Sequence, residues 1–164
     1  MDRHALLELI DFHEGRRDFP MLDDDGMATV LRNARRIALI GASPNPARPS
    51  NDVFRYLLAV GYEVVPINPD ESVIEGRICY PSLAAAVTAE GPVDIVDVFR
   101  RAELCVPHAR EAVVAGAKCL WLQLGVVNWE AARIAVDGGL SVVMDRCTAI
   151  ELKRLAPNHP DMSR

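Results

Sequence analysis

The chain has 164 residues, half of them apolar and a quarter charged, which suits one domain with a substantial core and excludes a disordered chain. Eighteen basic residues against 23 acidic ones leave a net charge of −5, against a general nucleic-acid partner; no apolar run is long enough for a membrane span, and residues 1–20 hold no secretory h-region. Four scattered cysteines (Cys79, Cys105, Cys119, Cys147), with no CxxC pair and no zinc-spaced histidine, predict free thiols, no metal and a cytoplasmic location.

The first 34 residues read as a helical extension. From His4 to His13, Leu6, Leu7, Leu9, Ile10 and Phe12 provide one apolar face, interrupted afterwards by Gly15 and Pro20. Asp23–Asp25 suit the start of a second helix that runs through Val30 and Leu31. Then the texture changes. Ile37–Ile40 is a continuous apolar run that ends at Gly41 and predicts a buried strand. Asp52–Val60 is helical in spacing and closes at Gly61. Tyr62–Ile67 reads as a second strand ending in Asn68-Pro69, and Ser82–Thr88 as a short Ala-rich helix. Val93–Phe99 is a third strand. A helix from about Val106 to Ala115 follows, with Pro107 tolerable only in its first turn. Cys119–Leu124 is a fourth strand, Trp129–Val136 a helix and Leu140–Met144 a fifth strand. The last helix starts near Thr148 and ends before Pro157.

Apolar strands separated by helices predict parallel βαβ units, because parallel neighbours need a crossover of a dozen or more residues. The expected fold class is therefore α/β: a Rossmann-like, doubly wound parallel five-stranded sheet. Residues 1–34 form its N-terminal helical extension and residues 35–164 the domain proper.

In such sheets ligands bind beyond the carboxyl ends of the strands, so the residues just after each strand carry the information. The first such loop, Gly41–Ser50, keeps only the first glycine of a GxGxxG fingerprint and is stiffened by Pro44, Pro46 and Pro49. It leads to a helix start around Ser50–Asp52, which favours an anion. The loop reads equally as a phosphate site or as a proline-rich connector with Ser50 as N-cap. Arg48, Arg100, Arg101 and Arg146 all fall at expected strand ends, and several cations on one edge suit a multiply phosphorylated ligand.

The ordered set I-A-L-I-G-A-S-P-N-P-A-R-P-S, V-V-P-I-N-P, V-D-I-V-D-V-F-R-R, W-L-Q-L-G-V and V-V-M-D-R-C, over roughly residues 35–155, resembles the small single-domain CoA-binding family. That family is similar to the N-terminal CoA-binding domain of the succinyl-CoA synthetase α-subunit. The resemblance implies that the cofactor is coenzyme A. Gly41, Ala42, Ser43, Pro44 and Arg48 would line its pantetheine-phosphate side, and Asn68 and Pro69 its adenine and ribose. Phe99 and Arg100 would close over the nucleotide, while Gln123, Gly125 and Val126 would form the floor near the pantetheine arm. The synthetase's phosphorylated His comes from a second domain; here His108 falls inside an expected helix, so ligase activity by this chain alone is not implied.

The other candidates read more plainly. Ser43 is not in a G-x-S-x-G elbow. Asp94 and Asp97 suit salt bridges or caps, and Trp121 and Trp129 suit a core or pocket wall. Cys147 sits beside Asp145 and Arg146 at an expected helix start, which would lower its thiol pKa modestly; it reads as either structural or reactive. The expected function is thus a non-catalytic carrier, sensor or partner module for CoA or an acyl-CoA, with no catalytic set, no nucleic-acid and no membrane partner. A homo-oligomer or a separate catalytic subunit fits this reading. The alternatives are an NAD(P)-dependent oxidoreductase, kept open by Asp70 and Glu71 near the end of the second strand, and a scaffold that has lost its ligand.

Overall fold

The computed structural model describes residues 1–156, so residues 157–164 of the expected domain lie outside the described part. Helices α1 (Arg3–His13) and α2 (Asp24–Asn33) precede β1 (Arg36–Ile40), α3 (Pro49–Ala59) and β2 (Glu63–Ile67). A small hairpin, β3 (Val73–Ile74) and β4 (Arg77–Ile78), leads to α4 (Leu83–Glu90) and β5 (Ile95–Val98). The chain continues through α5 (Cys105–Val114), β6 (Cys119–Leu122), α6 (Trp129–Asp137), β7 (Ser141–Val143) and α7 (Thr148–Leu155). Five strands form a parallel sheet in the order β2-β1-β5-β6-β7. Among the described residues no helix is long and apolar enough to cross a membrane.

The strand interiors are apolar, Asp97 of β5 excepted, because both faces of the sheet are covered. On one face Ile37, Leu39, Ile95, Trp121 and Val143 pack under α2, α3 and α7 through Leu31, Phe54, Leu57 and Leu152. On the other, Ala38, Ile40, Val96, Val98, Leu120 and Leu122 meet α4, α5 and α6 through Leu83, Ala86, Ala109, Ala112, Ala131 and Ala135. The alanines let α5 and α6 approach closely: a Cβ on Gly138, just after α6, would come within 2.5 Å of Val113 Cγ2.

Several expectations need correction. In α1 only Ala5 and Glu8 are buried, with Leu9 and Phe12 packed on the core, whereas Leu6, Leu7 and Ile10 are exposed. The helix touches the body along a single 5-8-9-12 stripe, so its remaining leucines face outward. Helix α3 starts at Pro49 instead of Asp52: Arg48 is the extended N-cap residue, Pro49 presets the helical φ, and Ser50 is buried in the first turn, not the cap. The β3–β4 hairpin was not foreseen. Its two-residue turn, Glu75-Gly76, takes positive φ at both positions (49° and 73°), and its strands are too short to show a period.

Candidate functional site

The sheet order reverses between β1 and β5. The chain leaves β1 toward α3 on one face and β5 toward α5 on the other, so a crevice opens beyond their carboxyl ends. A cleft of about 560 Å³ lies there. Gly41, Ala42, Ser43, Arg48, Asn68, Phe99, Arg100, Gln123 and Val126 of the expected residues line it; Pro44, Pro69 and Gly125 do not. Pro49, Ser50, Val53, Leu124 and Cys147 complete the wall. Sequence reasoning stopped short of Val53 because it assigned the start of α3 three residues late; Val53 lies one turn inside the true start. A second cleft of about 650 Å³ runs along the outer edge of β2, away from the switch point, and its Arg36 is paired with Glu63 at 2.6 Å.

The first loop is built to a fixed shape. Gly41 has φ of 81°, and a Cβ there would come within 2.3 Å of the Phe99 carbonyl oxygen, so both conformation and close approach require glycine. The Asn45 amide donates to Ser43 Oγ at 3.1 Å, and the Ala47 amide to Asn45 Oδ1 at 2.9 Å. Asn51 of α3 donates from Nδ2 to the Ser43 carbonyl (2.9 Å) and to Glu75 of the hairpin (3.0 Å). Asn68 Nδ2 donates to the Ala42 carbonyl at 2.8 Å, while its Oδ1 accepts from the Asp70 amide. Asn68 therefore clamps the loop to the end of β2, and its side chain is engaged with protein on both sides.

The cations separate into two pairs. Arg48 and Arg100 line the cleft, and among the described residues neither guanidinium makes an ion pair. Arg101 turns to Glu103 at 3.4 Å and Arg146 to Glu151 at 3.5 Å, and neither lines the cleft. The expectation of four converging arginines thus reduces to two, since a nearby carboxylate has claimed each of the others. Among the described residues no side chain caps α3, whose first turn contributes Pro49 and Ser50 to the wall. That leaves the positive end of its dipole facing the same space as the two free guanidinium groups.

The floor is different in kind. Asp97 on β5 is fully buried, neither bridged nor capping; it accepts from Gln123 Nε2 at 2.7 Å and from the Thr148 hydroxyl at 2.8 Å. Burial pushes its carboxyl up to about 7 against the pull of those two donors. Asp94 does fill the expected role: its carboxylate accepts from the amides of Arg35 and Arg36 and pairs with Lys118 at 3.2 Å. Trp121 is core and donates from Nε1 to the Arg146 carbonyl at 2.8 Å; Trp129 lies under Phe12 and Phe19 of the N-terminal segment. Asp70 and Glu71 do not line the cleft.

Cys147 reaches the cleft, but its thiol is not activated. Burial pushes its pKa up, and the amides of Ile150 and Ala149 at the start of α7 only partly offset that. The expected lowering is overturned because desolvation outweighs the helix end and because Arg146 turns toward Glu151. The other three thiols are buried as well, Cys105 being pushed up to about 12.

Comparison with known proteins supports the resemblance. A family model described as a CoA binding domain matches residues 35–153. The uncharacterized protein YneT of Bacillus subtilis is 35% identical over 121 residues, covering 74% of this chain and 87% of its own. A solved structure of a hypothetical protein from Pyrococcus horikoshii is 36% identical, with a TM-score of 0.77 over 85% of this chain and 98% of its own. Another, from Thermus thermophilus, is 35% identical with a TM-score of 0.75 over 82% and 99%. A family model matched over residues 35–153, from the start of β1 into α7, places the chain in the family of CoA-binding domains.

Proposed function

We propose that this cleft binds coenzyme A, free or acylated, and that the chain acts as a non-catalytic carrier, sensor or partner module. One observation carries the reading: two guanidinium groups that form no ion pair among the described residues, and a helix end that no side chain among them caps, share a single cleft with an apolar wall. The nucleotide end of CoA, a 3′-phosphorylated ADP, is multiply anionic, and Arg48, Arg100 and the first turn of α3 answer that charge. Phe99 borders the same cleft and supplies an aromatic ring for the base, and Asn68 closes off the ribose side. The pantetheine arm needs a narrow, partly apolar path with a few polar groups, and Ala42, Val53, Leu124 and Val126 provide it with Gln123 at the floor. Among the described residues, 35–156 form this domain, and residues 1–34 are a helical extension whose α2 packs into its core; a catalytic chain, where one is needed, would be a separate partner.

The test is a thermal-shift and calorimetry panel of CoA, acetyl-CoA, ADP, NAD and NADP. Ligand that binds only the native state stabilises by about 2.7 kcal/mol at a hundredfold excess over Kd. CoA is expected to give the largest rise in Tm. Stronger stabilisation by NAD at equal concentration would favour the dehydrogenase reading instead. Arg48→Ala is expected to weaken CoA by about 1.5–3 kcal/mol, the range for hydrogen bonds to charged groups, with little change in the Tm of the free protein because the side chain is exposed. Unchanged affinity would remove Arg48 from the site.

A further inference from the structure

We propose that Asp97 and Thr148 are positioning residues that lock the side-chain amide of Gln123, so that it offers the cleft only a hydrogen-bond acceptor and selects a ligand whose arm carries an amide N–H at that point. The ligand half of this inference rests on the CoA reading; the lock itself does not.

The three residues come from three elements: Asp97 from β5, Gln123 from the residue after β6, and Thr148 from the first turn of α7. In the register Asp97 lies beside Trp121, so Gln123, two residues further, projects from the same face of the sheet and sits beneath the start of α7. Asp97 and Thr148 are wholly buried, and Gln123, 6% exposed, lines the cleft. A carboxamide has two N–H donors and one carbonyl acceptor. Both donors are used: Nε2 gives one hydrogen bond to Asp97 Oδ1 at 2.7 Å and one to Thr148 Oγ1 at 3.1 Å. The Thr148 hydroxyl spends its own proton on Asp97 Oδ2 at 2.8 Å, so it can only accept from Gln123. The ring of three hydrogen bonds is closed, and each polar atom in it has one consistent role.

What remains is Gln123 Oε1. Among the described residues it accepts no hydrogen bond, and it is not among the buried atoms left without a partner, so it is open to the cleft. Once Asp97 is ionised, above about pH 7, turning the amide over would set Oε1 against the Asp97 carboxylate at hydrogen-bond distance, acceptor against acceptor, and would leave a donor facing outward. The carboxylate therefore fixes the polarity of the floor. A ligand group resting there must donate a hydrogen bond, and the secondary amides of a pantetheine arm are such donors beside an apolar wall.

The experiment combines side-chain amide NMR with calorimetry at pH 8, using CoA and adenosine 3′,5′-bisphosphate, which lacks the arm. In the wild type both Gln123 amide protons are expected to exchange slowly with solvent. Thr148→Val and Asp97→Asn, each near in shape to the native residue, are expected to abolish that protection and to weaken CoA. Gln123→Met, which keeps the length and loses the acceptor, is expected to weaken CoA about three- to tenfold, the worth of one net hydrogen bond. Binding of the bisphosphate should be unchanged in all three, and circular dichroism checks that each is folded. Rapid exchange of the wild-type amide overturns the lock, whatever binds. Unchanged CoA affinity in Gln123→Met, or an equal loss for the bisphosphate, overturns the acceptor assignment. A protected amide in a protein that binds neither probe overturns the CoA reading and the ligand half with it, while the lock stands.

Discussion

Among the described residues Asp97 has no cation in contact with it: its hydrogen-bond partners are neutral, and nearby ionisable groups include the buried thiols of Cys119 and Cys147. Held up to about 7 by burial, it keeps its proton in the native protein at pH values where an unfolded aspartate, near 4, has lost it. Between those values the native state binds more protons, so its stability falls as pH rises toward 7 and levels off above. Asp97→Asn removes this titration. Urea unfolding from pH 4.5 to 8 should show the wild type losing stability relative to the variant along that range; parallel curves would show that Asp97 is ionised throughout. Gly41 carries a second prediction at this scale. Gly41→Ala must relieve both a positive φ and a 2.3 Å approach to the Phe99 carbonyl, and strained backbone alone costs on the order of 1–3 kcal/mol. A drop of at least that size in the urea-derived stability is expected, together with loss of ligand response, because Gly41 and Phe99 both line the cleft.

Among the elements, α5 and α6 are joined through small residues, and Gly138 is the tightest point. Its φ is ordinary, so the constraint is purely steric: a Cβ would press on both methyl groups of Val113 at 2.5 and 2.6 Å. Gly138→Ala is therefore expected to cost about 1–3 kcal/mol, the range for overpacking, and Val113→Ala in the same molecule should restore much of it. A double-mutant cycle in thermal melts should give a coupling well above the 0.3–0.5 kcal/mol scatter of independent sites; additive losses would mean that the helices simply move apart. The same elements show what sequence can carry. The strands were legible because burial on both faces makes them largely apolar; Gly41, Arg48 and Arg100 followed from counting residues beyond each strand, whereas Gln123 came from the family resemblance. Less was visible wherever tertiary partners decide. Nothing in the sequence tells that Arg146 is claimed by Glu151 while Arg100 is left free, and the Asp97–Gln123–Thr148 ring joins residues 26 and 25 positions apart along the chain. Cys147 misled for the same reason, since its neighbours suggested activation and its burial reverses that.

Across the whole molecule the two N-terminal helices differ in how they are held. α1 rests on the body through Leu9 and Phe12, which are only partly buried, through the contact of Phe12 with Trp129, and through His13, which meets Asp145 at 2.9 Å. Asp145 in turn accepts from the Gly125 amide at 2.6 Å, so α1 leans on the loop behind the cleft floor. α2 is joined to the core itself. Met27 and Leu31 are buried against Phe54, Leu57 and Leu152, the Leu31 carbonyl accepts from the Tyr62 hydroxyl at 2.5 Å, and Arg154 of α7 grips both oxygens of Asp24 at 2.7 and 2.8 Å. Fully burying a large aliphatic side chain is worth about 1.5–3 kcal/mol, so two of them in α2 represent a large share of a total that is typically 5–15 kcal/mol. Removal of residues 1–22 should therefore leave a folded protein with a modestly lower Tm and faster amide exchange around Gly125 and Asp145. Removal of residues 1–34 should expose the α2 side of the sheet, with a steep fall in Tm or aggregation during expression. Calorimetric melts of the two truncated proteins beside the full chain decide the matter: equal Tm values for the two truncations would show that α2 adds nothing to the core, and a collapse already on removing residues 1–22 would place the indispensable contact at Trp129.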